Sequence, residues 1–96
     1  MSKFELGQTV MTRGVADALS ENPDFLGFVI ESLERYRDCD WGEMADEDKA
    51  LNDSAVKNGD DRILAAYKNG GPKAWKIWII TEWDRSVTTI LFPDEY

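Results

Sequence analysis

The segment Lys76-Ile77-Trp78-Ile79-Ile80-Thr81-Glu82-Trp83 constrains the fold more than any other stretch of the chain. Read at period two over residues 75–83, it puts Trp75, Ile77, Ile79 and Trp83 on one face and Trp78 and Ile80 on the other. A strand apolar on both faces must be covered on both, which predicts a central position in a sheet. Residues 87–92 form a second β-prone run, stopped by Pro93, so the two make a hairpin. A three-residue loop, Asp84-Arg85-Ser86, pairs Trp83 with Val87, Ile79 with Leu91, Ile80 with Ile90 and Trp78 with Phe92. A two-residue loop sets Glu82 opposite Val87 instead. Apolar cross-strand pairs favour the three-residue loop. Upstream, residues 62–68 read as the first strand of a meander, joined to the second by the turn cluster Lys68-Asn69-Gly70-Gly71-Pro72.

The N-terminal half reads as one short strand and three helices. Residues 8–12, between Gly7 and Gly14, are β-prone. Val15, Ala18 and Leu19 give a short helix over 14–21. Asn22-Pro23-Asp24 reads as a helix start: a capping amide, a proline whose missing N–H has no partner to lose, and an acid on the helix dipole. Leu26, Val29, Ile30, Leu33 and Tyr36 then form one apolar face over 23–37, widened by Phe25 and Phe28, with Glu31 and Arg35 paired at i,i+4 outside. The loop Asp38-Cys39-Asp40-Trp41-Gly42 follows, with Trp41 expected to fold back onto the core. Asp46 is placed to cap a helix over 46–58, whose narrow stripe is Leu51 and Ala55, with Met44 on the same side. An Asp53–Lys57 pair and a terminating Gly59 complete it. The expected fold is α+β: three helices packed on an antiparallel sheet made of the C-terminal meander, with the short N-terminal strand at an edge.

Ninety-six residues suit one small acidic domain over 1–96. Lys and Arg number 11 against 19 Asp and Glu, a formal charge of -8, which disfavours nucleic-acid backbones and anionic membranes as partners. There is no histidine, so every Ser-His or Cys-His nucleophile pair is excluded. The single cysteine, Cys39, forms no internal disulfide, suits a reducing cytoplasm, and sits between two acids that oppose its ionisation. The longest apolar run, Ile77-Trp78-Ile79-Ile80, is too short to cross a bilayer, and the expected location is cytoplasmic.

Motifs for cofactor chemistry are missing. Gly70-Gly71 is followed by no helix start, so it is not a phosphate loop. Pro23-Asp24 and Glu47-Asp48-Lys49 match the letters of a metal nuclease, but both open helices, where acids serve the dipole. The strand aromatics read as core packing, since the net charge offers no positive groove for stacked bases. No catalytic residue, metal ligand or cofactor is assigned.

The stretch Lys76-Ile77-Trp78-Ile79-Ile80-Thr81-Glu82-Trp83-Asp84-Arg85-Ser86-Val87 through Pro93-Asp94-Glu95-Tyr96 resembles a family of short bacterial proteins carried by plasmids, phages and other mobile elements. Phe4-Glu5-Leu6-Gly7-Gln8, Gly14-Val15, Asp40-Trp41-Gly42, Asp48, Asn52 and Arg62-Ile63-Leu64-Ala65-Ala66-Tyr67 extend the resemblance over nearly the whole chain. The resemblance implies a bacterial or phage cytosolic setting and a stand-alone domain, without an established activity. Some members carry a type I restriction subunit label; a modification subunit needs a cofactor-binding turn and a catalytic tetrapeptide, and this chain has neither. Members tend to have a His and a Gly before the Asp-Trp-Gly, where this chain has Tyr36-Arg37-Asp38-Cys39.

Charge is concentrated. Residues 38–61 hold nine acids and two bases, net -7, which leaves -1 for the rest. Without His or a recognisable catalytic spacing, the expected function is a non-catalytic interaction or accessory factor of a mobile element, as a monomer or homodimer; the acidic face at 38–61 reads either as a solvated surface that keeps the chain soluble or as a docking face for a basic partner surface. Candidate binding residues are Asp40, Asp46, Glu47, Asp53, Glu82, Asp84 and Arg85. The alternative is a small enzyme using carboxylates or Arg85 on a polar substrate. A concave site enclosing Asp40 with Glu82, Asp84 or Arg85 would distinguish it. Arg85 is further expected to form an ion pair that pins its hairpin.

Overall fold

In the computed structural model, residues 3–69 and 74–96 are described. The chain runs β1 (Gln8–Met11), α1 (Arg13–Glu21), α2 (Pro23–Arg37), α3 (Asp46–Asn58), β2 (Ile63–Lys68), β3 (Lys76–Thr81) and β4 (Val87–Leu91), then a 3-10 turn at Pro93–Glu95. The fold is α+β. One four-stranded sheet has the order β1-β4-β3-β2, so β1 is at an edge and β3 is interior. The glycine part of the expected turn between β2 and β3 lies outside the described residues.

The sheet is not wholly antiparallel. β2 and β4 both pair antiparallel with β3, but β1 lies parallel to β4, Gln8 beside Val87 and Met11 beside Ile90. A parallel neighbour needs a long crossover, and here the crossover is most of the protein.

Strand alternation sorts the core. Ile63, Ala65 and Tyr67 on β2, Ile77, Ile79 and Thr81 on β3, and Thr88 and Ile90 on β4 are buried together. α2 lies over this face: Phe25 stacks on Phe92 at 5.7 Å and meets Trp75 edge-on at 5.1 Å. Trp78 points to the opposite face, where its ring meets Tyr96 at 5.3 Å. The C-terminal turn thus covers part of the second face of β3, and Ile80 and Leu91 are buried.

The hairpin register differs from the expected one by one residue. Trp78 is opposite Leu91, Ile80 opposite Thr89 and Thr81 opposite Thr88, and Glu82 N–H donates to Val87 O, the pairing that apolar matching had disfavoured. The reason is polar. The register stacks the Thr81 and Thr88 hydroxyls 2.7 Å apart inside the core, where Tyr36 and Leu6 complete their bonding. A bonded pair of buried hydroxyls outweighs a gain in apolar area, because either hydroxyl alone would be costly to bury. Trp83 is consequently carried out into the turn and is exposed.

Helix limits agree with the sequence reading, and so do most of the apolar faces, with Val29, Tyr36 and Ala55 buried and Phe28 and Leu33 packed against the core; Leu26, Ile30 and Leu51 are the exceptions. α2 buries Phe25, Val29, Ser32 and Tyr36, while Leu26 and Ile30 stand exposed. α3 buries Asn52 and Ala55, and Leu51 is exposed. Asp46 is the first residue of α3 rather than its cap, which is Ala45. Asn22 precedes α2 but donates its side-chain amide to Ala18 O of α1. Arg35 pairs with Asp40 in place of Glu31, and Asp53 accepts from Trp41 in place of Lys57. α3 does end at Gly59, in the left-handed conformation. Among the described residues no helix is long and apolar enough to cross a membrane.

Candidate functional site

The acidic segment lies along the free edge of β2. Asn52, in the middle of α3, reaches this edge and pairs with one residue of it: its amide nitrogen donates to Leu64 O (2.7 Å), and its oxygen accepts from Leu64 N–H (3.3 Å). One residue pair further along, Gly42 bridges to Ala66 and Glu43 N–H donates to Ala66 O at 2.7 Å. A side chain and a loop thereby occupy ladder positions that another strand would otherwise take. Gly42 adopts φ +70, and a Cβ there would overlap Ala66 O, so both the conformation and the close approach require glycine.

Trp41 is folded into the core as expected, 3% exposed. Its ring meets Tyr36 at 5.5 Å and Phe4 at 5.9 Å, and its indole N–H donates to Asp53 Oδ1 at 2.9 Å. Asp40 closes the preceding corner. α2 ends in a reversed turn, with Cys39 at φ +64, Cys39 N–H on Tyr36 O and Asp40 N–H on Arg35 O. The Arg35 guanidinium then grips the Asp40 carboxylate at 2.7 and 3.2 Å, while the Asp40 carbonyl accepts from Tyr67. The Arg35 hydrogen bond holds the Asp40 carboxyl below the usual carboxylate range. Burial, then the charges of Asp53 and Asp38, push the Cys39 thiol up against the opposing Lys3 ammonium, which leaves it a poor nucleophile.

Glu82, Asp84 and Arg85 occupy the β3–β4 turn. Asp84 accepts from the Ser86 hydroxyl and N–H (2.6 and 3.1 Å), which lowers its pKa. Arg85 has φ +62 and does not form the expected ion pair. Its guanidinium donates instead to four backbone carbonyls: Asp61 at 2.6 Å, Ala55 at 2.8 Å, Trp83 at 3.1 Å and Glu82 at 3.2 Å. It therefore ties the hairpin tip to the end of α3 and to the loop before β2.

The structure thus separates the candidates. Arg85 meets the α3 terminus, Asp53 is bound to Trp41, Asp40 is held by Arg35, and Asp46 and Glu47 stand exposed on the first turn of α3. Asp40 and Arg85 are not joined in one concave site. The groove beside the acidic helix is lined by Met44, Asp48, Leu51, Asn52, Asp61, Arg62 and Leu64, and encloses ≈ 320 Å³. Of these, Met44, Leu51 and Leu64 supply apolar surface, and Asp48 and Asp61 supply negative charge against one guanidinium, that of Arg62, which donates to Tyr96 OH at 2.8 Å. Leu51 is 66% exposed. The sequence pattern sets Leu51 in one apolar stripe with Ala55; the structure buries Ala55 and turns Leu51 out into this groove, which the pattern does not indicate. The available signal was Asn52, a residue of low helical propensity in mid-helix beside an apolar position.

Among the described residues no group of three or more His, Cys, Asp or Glu is placed to hold a metal ion. Compared with family models, curated proteins and solved structures, the chain has no match in any of the three.

Proposed function

We propose that this chain is a non-catalytic interaction domain, an accessory factor in the mobile-element setting that its resemblance implies. The groove between α3 and the start of β2 docks a basic segment of a partner protein, anchored by one apolar side chain. The observation that carries this reading is Leu51, 66% exposed on a helix that opens with Asp46, Glu47 and Asp48. A lone exposed leucine needs no explanation. A leucine that shares a groove with Met44 and Leu64, where the carboxylates of Asp48 and Asp61 outnumber the one guanidinium of Arg62, offers apolar contact and charge complementarity together. The surface is small, so binding is weak, fast and salt-sensitive. The enzyme alternative is less well supported: the Asp40 and Asp84 carboxyls are lowered rather than raised, and the Arg85 donors are engaged by carbonyls.

The test uses the full chain and three synthetic peptides: a lysine-rich peptide with a central leucine, the same peptide with alanine for leucine, and one with glutamate for lysine. Calorimetry is expected to detect the first alone, with affinity falling as salt is added. Leu51→Ser abolishes that preference, and Asp48→Asn with Asp61→Asn flattens the salt response. Equal binding of the leucine and alanine peptides, unchanged by Leu51→Ser, sinks the groove as the docking site.

A further inference from the structure

Lys68 and Lys76 are direct cross-strand neighbours on the face of the sheet that α2 leaves open. Like charges in that position repel across about 5 Å between Cβ atoms. Among the described residues neither has a carboxylate within 4.0 Å, the ion pairs being Arg13–Asp17 and Arg35–Asp40. One step along the ladder, on the same face, Ala66 is opposite Trp78. A small side chain thus faces a large one, and a cleft of ≈ 250 Å³ lies there, lined by Glu43, Ala66, Tyr67, Lys68, Lys76, Ile77 and Trp78. Among the described residues, the charged groups lining it are the two lysines and Glu43, with Glu31 and Arg35 bordering Lys68 from the helix side.

We propose that this cleft binds a small aromatic anion, its acid group between Lys68 and Lys76 and its ring beside Trp78 above Ala66. Residues two apart on a strand are separated by about 7 Å, so the lysine pair and the indole stand at a spacing that a mononucleotide spans between phosphate and base. The anion relieves the repulsion between the lysines, and Trp78 adds the contact that sequence-independent base stacking uses. The chain's net charge of -8 concealed the site, because it averages a local positive pair over a strongly acidic surface elsewhere. The inference does not depend on the groove at α3, and Leu51 takes no part in it.

The test is a nuclear magnetic resonance titration of the full chain with adenosine monophosphate, adenosine and inorganic phosphate as separate probes. The monophosphate is expected to shift the Lys68 and Lys76 amides and the Trp78 indole N–H together. Lys68→Gln or Lys76→Gln weakens it about fivefold, the worth of one partly exposed ion pair. Trp78→Leu weakens it about tenfold and removes the preference for the monophosphate over phosphate. Lys76→Glu abolishes binding and raises the melting temperature, because it turns a repulsive pair into an attractive one. Equal affinity for phosphate and monophosphate overturns the role of Trp78. Absence of shifts at these residues with millimolar monophosphate, or a melting temperature lowered by Lys76→Glu, overturns the proposal.

Discussion

The hydroxyls of Tyr36 and Thr81 lie 2.6 Å apart in the core, and the bonding around them gives the proton between them to Tyr36, whose other acceptor, Ile63 O, is farther off at 3.4 Å. The direction follows from the far end of the chain of bonds. Thr88 donates to Leu6 O, a carbonyl that only accepts (2.6 Å). Thr88 therefore accepts from Thr81 at 2.7 Å, and Thr81 in turn accepts from Tyr36. Tyr36→Phe removes the outermost donor and leaves one lone pair unfilled, at a cost of about 1 kcal/mol. Thr88→Val leaves both the Leu6 carbonyl and the Thr81 proton unpaired, at about 2–3 kcal/mol. Urea unfolding should find Thr88→Val the more damaging; the reverse order would mean that the Leu6 carbonyl does not depend on the Thr88 proton.

Arg85 is predicted to matter far more than a turn residue should. Its bonds to the carbonyls of Ala55 and Asp61 hold three elements at once. Arg85→Ala should cost about 2–3 kcal/mol, in the range of a charge-assisted hydrogen bond lost with partners left unmet. Arg85→Lys should recover little, since one ammonium lacks the planar fork that reaches both carbonyls. A loss below about 0.5 kcal/mol in thermal unfolding would place Arg85 among ordinary surface residues.

Asn52 is predicted to protect the sheet as well as stabilise it. Asn52→Ala removes both bonds to Leu64 and should cost about 2 kcal/mol. It also exposes the backbone of an edge strand, so association should become concentration-dependent in sedimentation. Asn52→Asp keeps the acceptor but sets a charge against Leu64 O, and should be the worse substitution at neutral pH. Monodisperse Asn52→Ala at high concentration would show that Gly42 and Glu43 suffice to close the edge.

Alkaline stability depends on two phenols. Burial pushes the Tyr36 and Tyr67 hydroxyls above the ordinary phenol range; for Tyr67 the neighbouring Tyr36 and Asp40 add to the effect. Unfolded phenols ionise at about pH 10, whereas the folded ones keep their protons. The unfolded state thus binds fewer protons above that pH. The contribution is complete below about pH 10 and is lost as pH rises towards the folded values, at about 1.4 kcal/mol per group per pH unit. Replacing both tyrosines with phenylalanine should flatten the decline; an unchanged slope would assign it to other groups.

Features set by neighbouring residues were legible in the sequence. Pro23 and Asp24 open α2, and Gly59 closes α3, at the expected positions, because caps act within a turn. Trp41 was recognisable as core, since so large a ring gains by burial. What failed required partners distant in sequence. Nothing near Thr81 indicates that Thr88, Tyr36 and Leu6 will complete its bonding, so apolar matching chose the wrong register. Leu51 shares an i,i+4 apolar stripe with Ala55, yet Asn52 is the residue turned inward beside Ala55, because the edge of β2 has unpaired groups to offer it. The lysine pair was invisible for the same reason, because Lys68 meets Lys76 only across a ladder.

The parallel pairing of β1 with β4 has a consequence for the order of events during synthesis. A ribosome adding about 5–20 residues per second takes several seconds to travel from the first strand to the last. Throughout that time Gln8–Met11 has been made and its neighbour, Val87–Leu91, has not. The nascent chain can build α1 and α2 locally, but the sheet can close over its first strand only when β4 arrives. Such a chain completes its sheet only once β4 is available, and a stop codon even slightly before Val87 would leave β1 with nothing to join.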